Sequence, residues 1–310
     1  VTYGEYPGAE PESARAAARE RARELRDLHK KQDRRRRLLL QGGIASGVLI
    51  IVAVIAVVIF VFPPTETRGP QNMLSDGIKI GEDLKAIQTE PLQPGQKPVP
   101  SAANAPEVID IQLYVDYLCA DCAAFQQAND EQLRSWVSSG AATIEIHPLA
   151  LLTTQSSGTQ YSLRVASVAA CIADLSPDHF YDFHVAMLAH QPEEGTEGLT
   201  DDQILDQAKA AGVTAMGQIR RCVSETRFRS WVKAATVRAL EGPIPNADIP
   251  KIDDELTVLV NGQVFPYSKD FDPAELAQFV VQAAGDAFSS NPTPTPGPSD
   301  GATPTPTPAP

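Results

Sequence analysis

VIDIQLYVDYLCADCAAF, residues 108–125, is the stretch that decides the fold. Its opening residues alternate apolar and polar side chains and close on an apolar run, the pattern of a strand. Asp116 and Tyr117 then lead into Cys119-Ala120-Asp121-Cys122, and from residue 120 to 137 the sequence has helical spacing, with Phe125, Leu133 and Trp136 available for burial. Two cysteines with two residues between them therefore sit where a strand meets a helix. The positive end of the helix dipole stabilises a thiolate there. Cys119 accordingly reads as the solvent-facing, attacking sulfur and Cys122, one turn inside, as the resolving one.

The chain holds four cysteines, which allow three pairings. Cys119–Cys122 with Cys171–Cys222 is favoured, because a ring with two intervening residues is what a redox pair uses and the other two are left for each other. Cys171 and Cys222 fall on separate helical segments, where they would make a structural disulfide in an oxidising compartment. A zinc site would need a further ligand pair at short spacing. Cys171 and Cys222 stand about fifty residues apart with no nearby histidine, so no metal is assigned. Of His147, His179, His184 and His190, the middle two are five residues apart, off the register that puts two ligands on one helix face. Phe180, Tyr181, Phe183, Phe228 and Trp231 read as core.

Downstream, a second strand is expected at residues 142–147, stopped by Pro148, followed by helical periodicity over residues 161–240. Breaks at Ser176-Pro177, residues 191–198, Gly212 and near Glu225 divide this block into about four helices. Residues 257–260 read as a strand, Asn261-Gly262 as a hairpin turn into Gln263-Val264-Phe265, and Asp272-Pro273 as the start of a last helix reaching about Ala284. Upstream, residues 77–81 read as a short strand able to join the edge of the sheet. The proline-interrupted TEPLQPGQKPVPS, residues 89–101, reads as a linker or extended arm.

Both ends are biased in composition. Residues 44–62, IASGVLIIVAVIAVVIFVF, carry no charge and are long enough to cross a bilayer as a helix. Lys30, Lys31, Arg34, Arg35, Arg36 and Arg37 precede them, whereas Arg68 is the cation in the flank PPTETRGPQN, residues 63–72. The expected topology is a single-pass plasma-membrane protein with a cytoplasmic N-terminus and an extracytoplasmic C-terminal domain. No small-x-small site follows the apolar run, which favours an uncleaved anchor over a signal peptide. The resulting organisation is a basic cytoplasmic tail at 1–37, an anchor at 38–62 and a linker at 63–104. A folded domain follows at 105–286, with a helical insertion at about 160–241, then a disordered Pro/Thr-rich tail at 287–310. With a net charge of −13 and the cations concentrated in the first forty residues, the folded region offers no basic stripe for nucleic acid.

YVDYLCADCAAF after a hydrophobic strand, YDFHVAML within the helical block, and TVLVNGQVF before a helix together resemble the DsbA-like thioredoxin family, more narrowly its membrane-anchored actinobacterial forms. The similarity covers residues 105–285. It implies an α/β thioredoxin-like fold with an inserted helical domain, oxidative folding of exported proteins, electrons passed to a membrane redox partner, and no cofactor beyond the cysteines. Two departures stand out. Family members carry a cis-proline just before the strand matching TVLVNG, and here Leu256, followed by Thr257, occupies that substrate-loop position with an expected trans bond. Asp121 inside the motif opposes the thiolate of Cys119 unless it turns to solvent or caps the helix, and so modulates the pair toward weaker oxidation. The reading is an extracytoplasmic thiol–disulfide oxidoreductase. The competing reading is a thioredoxin-fold binding or scaffold module, with Cys119–Cys122 an inert disulfide.

Overall fold

The computed structural model describes residues 67–290. The expected basic tail, the apolar span at 44–62 and the chain beyond 290 lie outside the described residues. Among the described residues no helix is long and apolar enough to cross a membrane.

Residues 109–116 form the central strand β3 (Ile109–Asp116), which follows two short strands, β1 (Ile78–Gly81) and β2 (Lys85–Ala86). Helix α1 (Ala120–Ser138) connects β3 to the parallel strand β4 (Ala142–Leu149), the crossover unit that a strand–helix–strand sequence predicts. β5 (Leu256–Val260) pairs antiparallel with β3 on its other side, and β6 (Gln263–Val264) pairs antiparallel with β5. The resulting sheet of six strands runs β2-β1-β4-β3-β5-β6. Asn261 and Gly262 both take positive φ, 49° and 82°, the geometry of the tight hairpin their sequence announces. Asp272 accepts the backbone N–H of Ala274 at 2.9 Å and opens α7 (Pro273–Ser290). That helix runs past the expected end at Ala284 and includes residues 287–290, the start of the expected tail.

Between β4 and β5 lie α2 (Tyr161–Leu175), α3 (Phe180–Ala189), α4 (Asp201–Ala210), α5 (Met216–Ser224) and α6 (Arg229–Glu241). The breaks fall where the sequence places them, but they delimit five helices among the described residues rather than four. Pro148 does not stop β4. The ladder with β1 ends at Ile146, so no β1 partner needs the N–H that Pro148 lacks, while pairing with β3 continues through Pro148 to Leu149.

The two faces of the sheet differ. Ile109, Ile111, Leu113 and Val115 of β3, with Ile144 and Ile146 of β4, join one apolar core with Phe125, Leu133 and Val137 of α1 and Leu276 of α7. The opposite face carries Gln112, Thr143, Glu145, His147 and Lys79, all buried. Buried polar groups persist only with partners, and here the segment before β3 supplies most of them. Ser101 donates to Glu145 at 2.9 Å, Ser75 also bonds Glu145, Asn104 donates to Thr143 at 2.8 Å, and Lys79 pairs with Asp110 at 2.9 Å. Asp76 holds Arg238 of α6 through two oxygens at 2.7 and 2.8 Å. The proline-interrupted stretch is an arm anchored at Leu92 and Ser101 with residues 93–97 exposed, and β1 lies between β4 and β2 rather than at the outer edge.

Candidate active site at the strand–helix turn

The turn from β3 into α1 is built from inside by Asp116. Its Oδ1 accepts the N–H of Leu118 and its Oδ2 the N–H of Leu152, each at 2.8 Å. Its carbonyl accepts the N–H of Cys119 at 3.1 Å. The residue is fully buried, and burial pushes its carboxyl up to about 6, while hydrogen bonds from Leu152, Ser162, Leu118 and Leu151 restrain the rise. Tyr117 places its hydroxyl 3.3 Å from Nδ1 of His184, and burial depresses that imidazole to about 3, so it is neutral.

Cys119 is the N-cap of α1, and its Sγ accepts the N–H of Cys122 at 3.0 Å. The two sulfurs form a disulfide with Cα atoms 5.2 Å apart. Reduction would leave a Cys119 thiolate facing the Cys122 N–H and the dipole of a helix of 19 residues, both of which favour the anion. Cys122 Sγ lies 3.4 Å from the carbonyl oxygen of Glu255, a contact that becomes an S–H···O hydrogen bond once Cys122 is a thiol. The pair is thus asymmetric, with a stabilised anion at the first position and a stabilised thiol at the second.

One expectation fails. Cys119 does not face solvent; its exposure is 0%. The helical insertion contacts the same turn. Gln191, in the irregular chain between α3 and α4, donates from Nε2 to the carbonyls of Tyr117 at 3.0 Å and Cys119 at 2.9 Å.

Asp121 lies in the first turn of α1 and forms an ion pair with Lys269, which offsets the charge expected to oppose the Cys119 thiolate. Lys269 also stands 5.6 Å over the ring of Tyr267. Leu256 and Thr257 belong to β5, paired with Val115 and Tyr114, rather than to a loop. The cis peptide among the described residues is Gly242–Pro243, so the bond before Leu256 is trans. Both residues line a groove of about 480 Å³ with Asp253, Asp254, Phe265 and Tyr267. Glu255 leads into the strand, and burial first, then repulsion from Glu194, Asp116, Asp254 and Asp121, pushes its carboxyl up to about 7. Cys171 and Cys222 are bonded to each other between α2 and α5 with Cα atoms 6.1 Å apart.

The histidines are structural. His147 stacks on Tyr114 with ring centroids 4.1 Å apart, and His179 and His190 bond within their own helix ends. Among the described residues no group of side chains is arranged to hold a metal ion. Reading the sequence missed Asp116, Gln191 and Glu255. An acid directly after the apolar run Leu113-Tyr114-Val115 was a visible signal for the first; nothing local marks Gln191, which meets Cys119 across 72 residues of chain.

The thioredoxin family model matches residues 97–276. Among solved structures, the reduced disulfide bond oxidoreductase DsbG from Mycobacterium tuberculosis is 23% identical, with 69% of this chain and 93% of that chain covered, at a TM-score of 0.50. DsbA from Mycobacterium tuberculosis, reduced and oxidised, matches at 23% identity over 69% of this chain and 98% of that one, also at 0.50. These likenesses are of fold. None of the curated proteins compared with the chain matches it.

Proposed function

Because the chain belongs to the thioredoxin family, we propose that it is a DsbA-like thiol–disulfide oxidoreductase that exchanges disulfides with exported proteins through Cys119 and Cys122. The observation that carries this reading is the asymmetric pair: Cys119 Sγ at a helix N-cap with an N–H donor, and Cys122 Sγ against a carbonyl. A substrate thiolate attacks Cys119 Sγ, the Cys119–Cys122 bond breaks, and Cys122 leaves as a thiolate that takes up a proton and bonds the Glu255 carbonyl. A second substrate thiolate attacks the substrate sulfur of the mixed disulfide and releases Cys119 as a thiolate. The substrate gains a disulfide, the protein gains two electrons, and a membrane redox partner removes them. The uncharged run at 44–62 with its basic flank supports an anchor that presents the domain outside the plasma membrane.

Lys269 beside Asp121 favours the oxidising direction, since it removes the main electrostatic objection to a stable Cys119 thiolate. The covered sulfur and Leu256 in place of the proline favour the second reading, a thioredoxin-fold scaffold with an inert disulfide. Reactivation of reduced ribonuclease and reduction of insulin, each with the unsubstituted chain and with Cys119→Ser, separate the two. The oxidoreductase loses its activity on substitution. Absence of activity in the unsubstituted chain, or activity indifferent to Cys119→Ser, defeats the proposal.

A further inference from the structure

Access limits the exchange. A thiolate must approach Cys119 Sγ along the line of the S–S bond, and a residue with 0% exposure offers it no path. Some part of the protein has to give way, and three contacts compete for that role. The Asp116 carboxylate is fully buried and bonded to two backbone N–H groups, so moving it would break the core of the turn. Glu255 precedes Leu256, which the β5–β3 ladder holds against Val115. Gln191 is different. It belongs to irregular chain whose residues 193–197 are exposed, and it meets the turn only where one amide nitrogen reaches two carbonyls.

Gln191 sits at the Cys119 carbonyl, while Glu194 lies close enough to Glu255 to act on its carboxyl, and the Glu255 carbonyl touches Cys122 Sγ. Residues 191–194 follow His190, the C-cap of α3, whose N–H donates to the Ala186 carbonyl at 3.1 Å. Beyond them the chain is moored elsewhere: Gly195 N–H donates to the Gln155 carbonyl at 2.7 Å, and Thr159 Oγ1 donates to the Glu197 carbonyl at 2.6 Å. The backbone of the segment is therefore held at both ends, and the Gln191 side chain is the contact free to release.

We propose that Gln191 is a positioning residue for disulfide exchange: its carboxamide holds the turn closed by clamping the Tyr117 and Cys119 carbonyls, and its release uncovers Cys119 Sγ. The inference rests on the reading of Cys119–Cys122 as the exchanging pair. The clamp acts on backbone oxygens that are present whether the sulfurs are oxidised or reduced, so it governs the rate of exchange and leaves its equilibrium alone.

The test uses the full chain, oxidised, with dithiothreitol and a 5-kDa polyethylene-glycol thiol as reductants, and alkylation mapped at Cys119 and Cys122. Gln191→Ala removes the latch. Gln191→Met keeps its length and removes its donor, which covers the case in which the alanine variant fails to fold. In both variants, reduction by the large thiol accelerates about tenfold or more and reduction by dithiothreitol by a smaller factor, while the reduction potential stays that of the unsubstituted chain. Unchanged rates overturn the proposal. So does a potential that shifts in step with the rates, since Gln191 would then tune the sulfur rather than uncover it. Both reductants act on the disulfide chemically, so a chain that shows this behaviour yet fails to reactivate ribonuclease defeats the proposed function and not the latch.

Discussion

The two disulfides of this protein are alike in exposure and opposite in setting. Cys119 and Cys122 are 0% and 1% exposed, Cys171 and Cys222 1% and 0%, so burial alone cannot say which pair reacts. What separates them is what each bond closes and what covers it. Cys171–Cys222 spans 51 positions and joins two helices, α2 and α5. A cross-link of that reach removes unfolded-state entropy worth about 4 kcal/mol. Cys119–Cys122 spans three positions and constrains little, and the Cys119 carbonyl accepts from a carboxamide of irregular chain. On the proposed function, one bond serves the stability of the helical insertion and the other the exchange.

The sharpest way to break this comparison is to exchange the roles by substitution. Cys119→Ser should lower exchange with protein substrates by about a thousandfold or more, about 4 kcal/mol in transition-state terms, and leave the thermal midpoint nearly unmoved. The double variant Cys171→Ser with Cys222→Ser should do the reverse. It should keep exchange within about threefold and lose about 4 kcal/mol of stability, seen as a fall of roughly 10 °C in the midpoint by calorimetry.

Titration sharpens the contrast next, because ionisable Asp116 belongs to the turn before the first disulfide. Its carboxyl is raised from 3.8 to about 6, so the folded state holds a proton that the unfolded state has already lost. The stabilisation this gives is fully present below about 3.8 and disappears as pH rises through about 6. Urea unfolding should therefore show the unsubstituted chain losing about 3 kcal/mol relative to Asp116→Asn between acid and neutral pH. A difference that is flat with pH would remove Asp116 from this account. The smallest effect belongs to Lys269→Ala. Lys269 and Asp121 are largely exposed, and such pairs interact weakly. The exchange rate should fall by no more than about threefold, with the change shrinking at high salt.

How much of this was legible in the chain follows the reach of each interaction. The strand, the Cys-x-x-Cys, the helix after it, the Asn261-Gly262 hairpin and the Asp272-Pro273 helix start are written in neighbouring residues, and a window of a few positions reads them. So are the breaks of the helical insertion, although counting breaks as helices undercounted the block by one. Pro148 misled because its effect depends on where β1 stops, which is a fact about a different strand. The site failed to be legible for the same reason. Lys269 reaches Asp121, Gln191 reaches Cys119 and Leu152 reaches Asp116 across separations of 148, 72 and 36 residues, and none of these partners has an unusual local sequence. A solvent-facing cysteine follows from the helix end alone; the burial of Cys119 depends on the rest of the fold.

The segment ahead of the central strand has a practical consequence. Residues 67–104 contribute two strands, β1 and β2, to the sheet and, through Ser75, Asp76, Lys79, Ser101 and Asn104, much of the pairing on its polar face. A recombinant fragment begun at residue 105, where the sequence resemblance starts, would leave Glu145, Thr143 and Arg238 without these counterparts and open an unprotected edge at β4 to self-association. Expression designs should start at or before Thr67, whose Oγ1 already meets Ser230 Oγ at 3.0 Å.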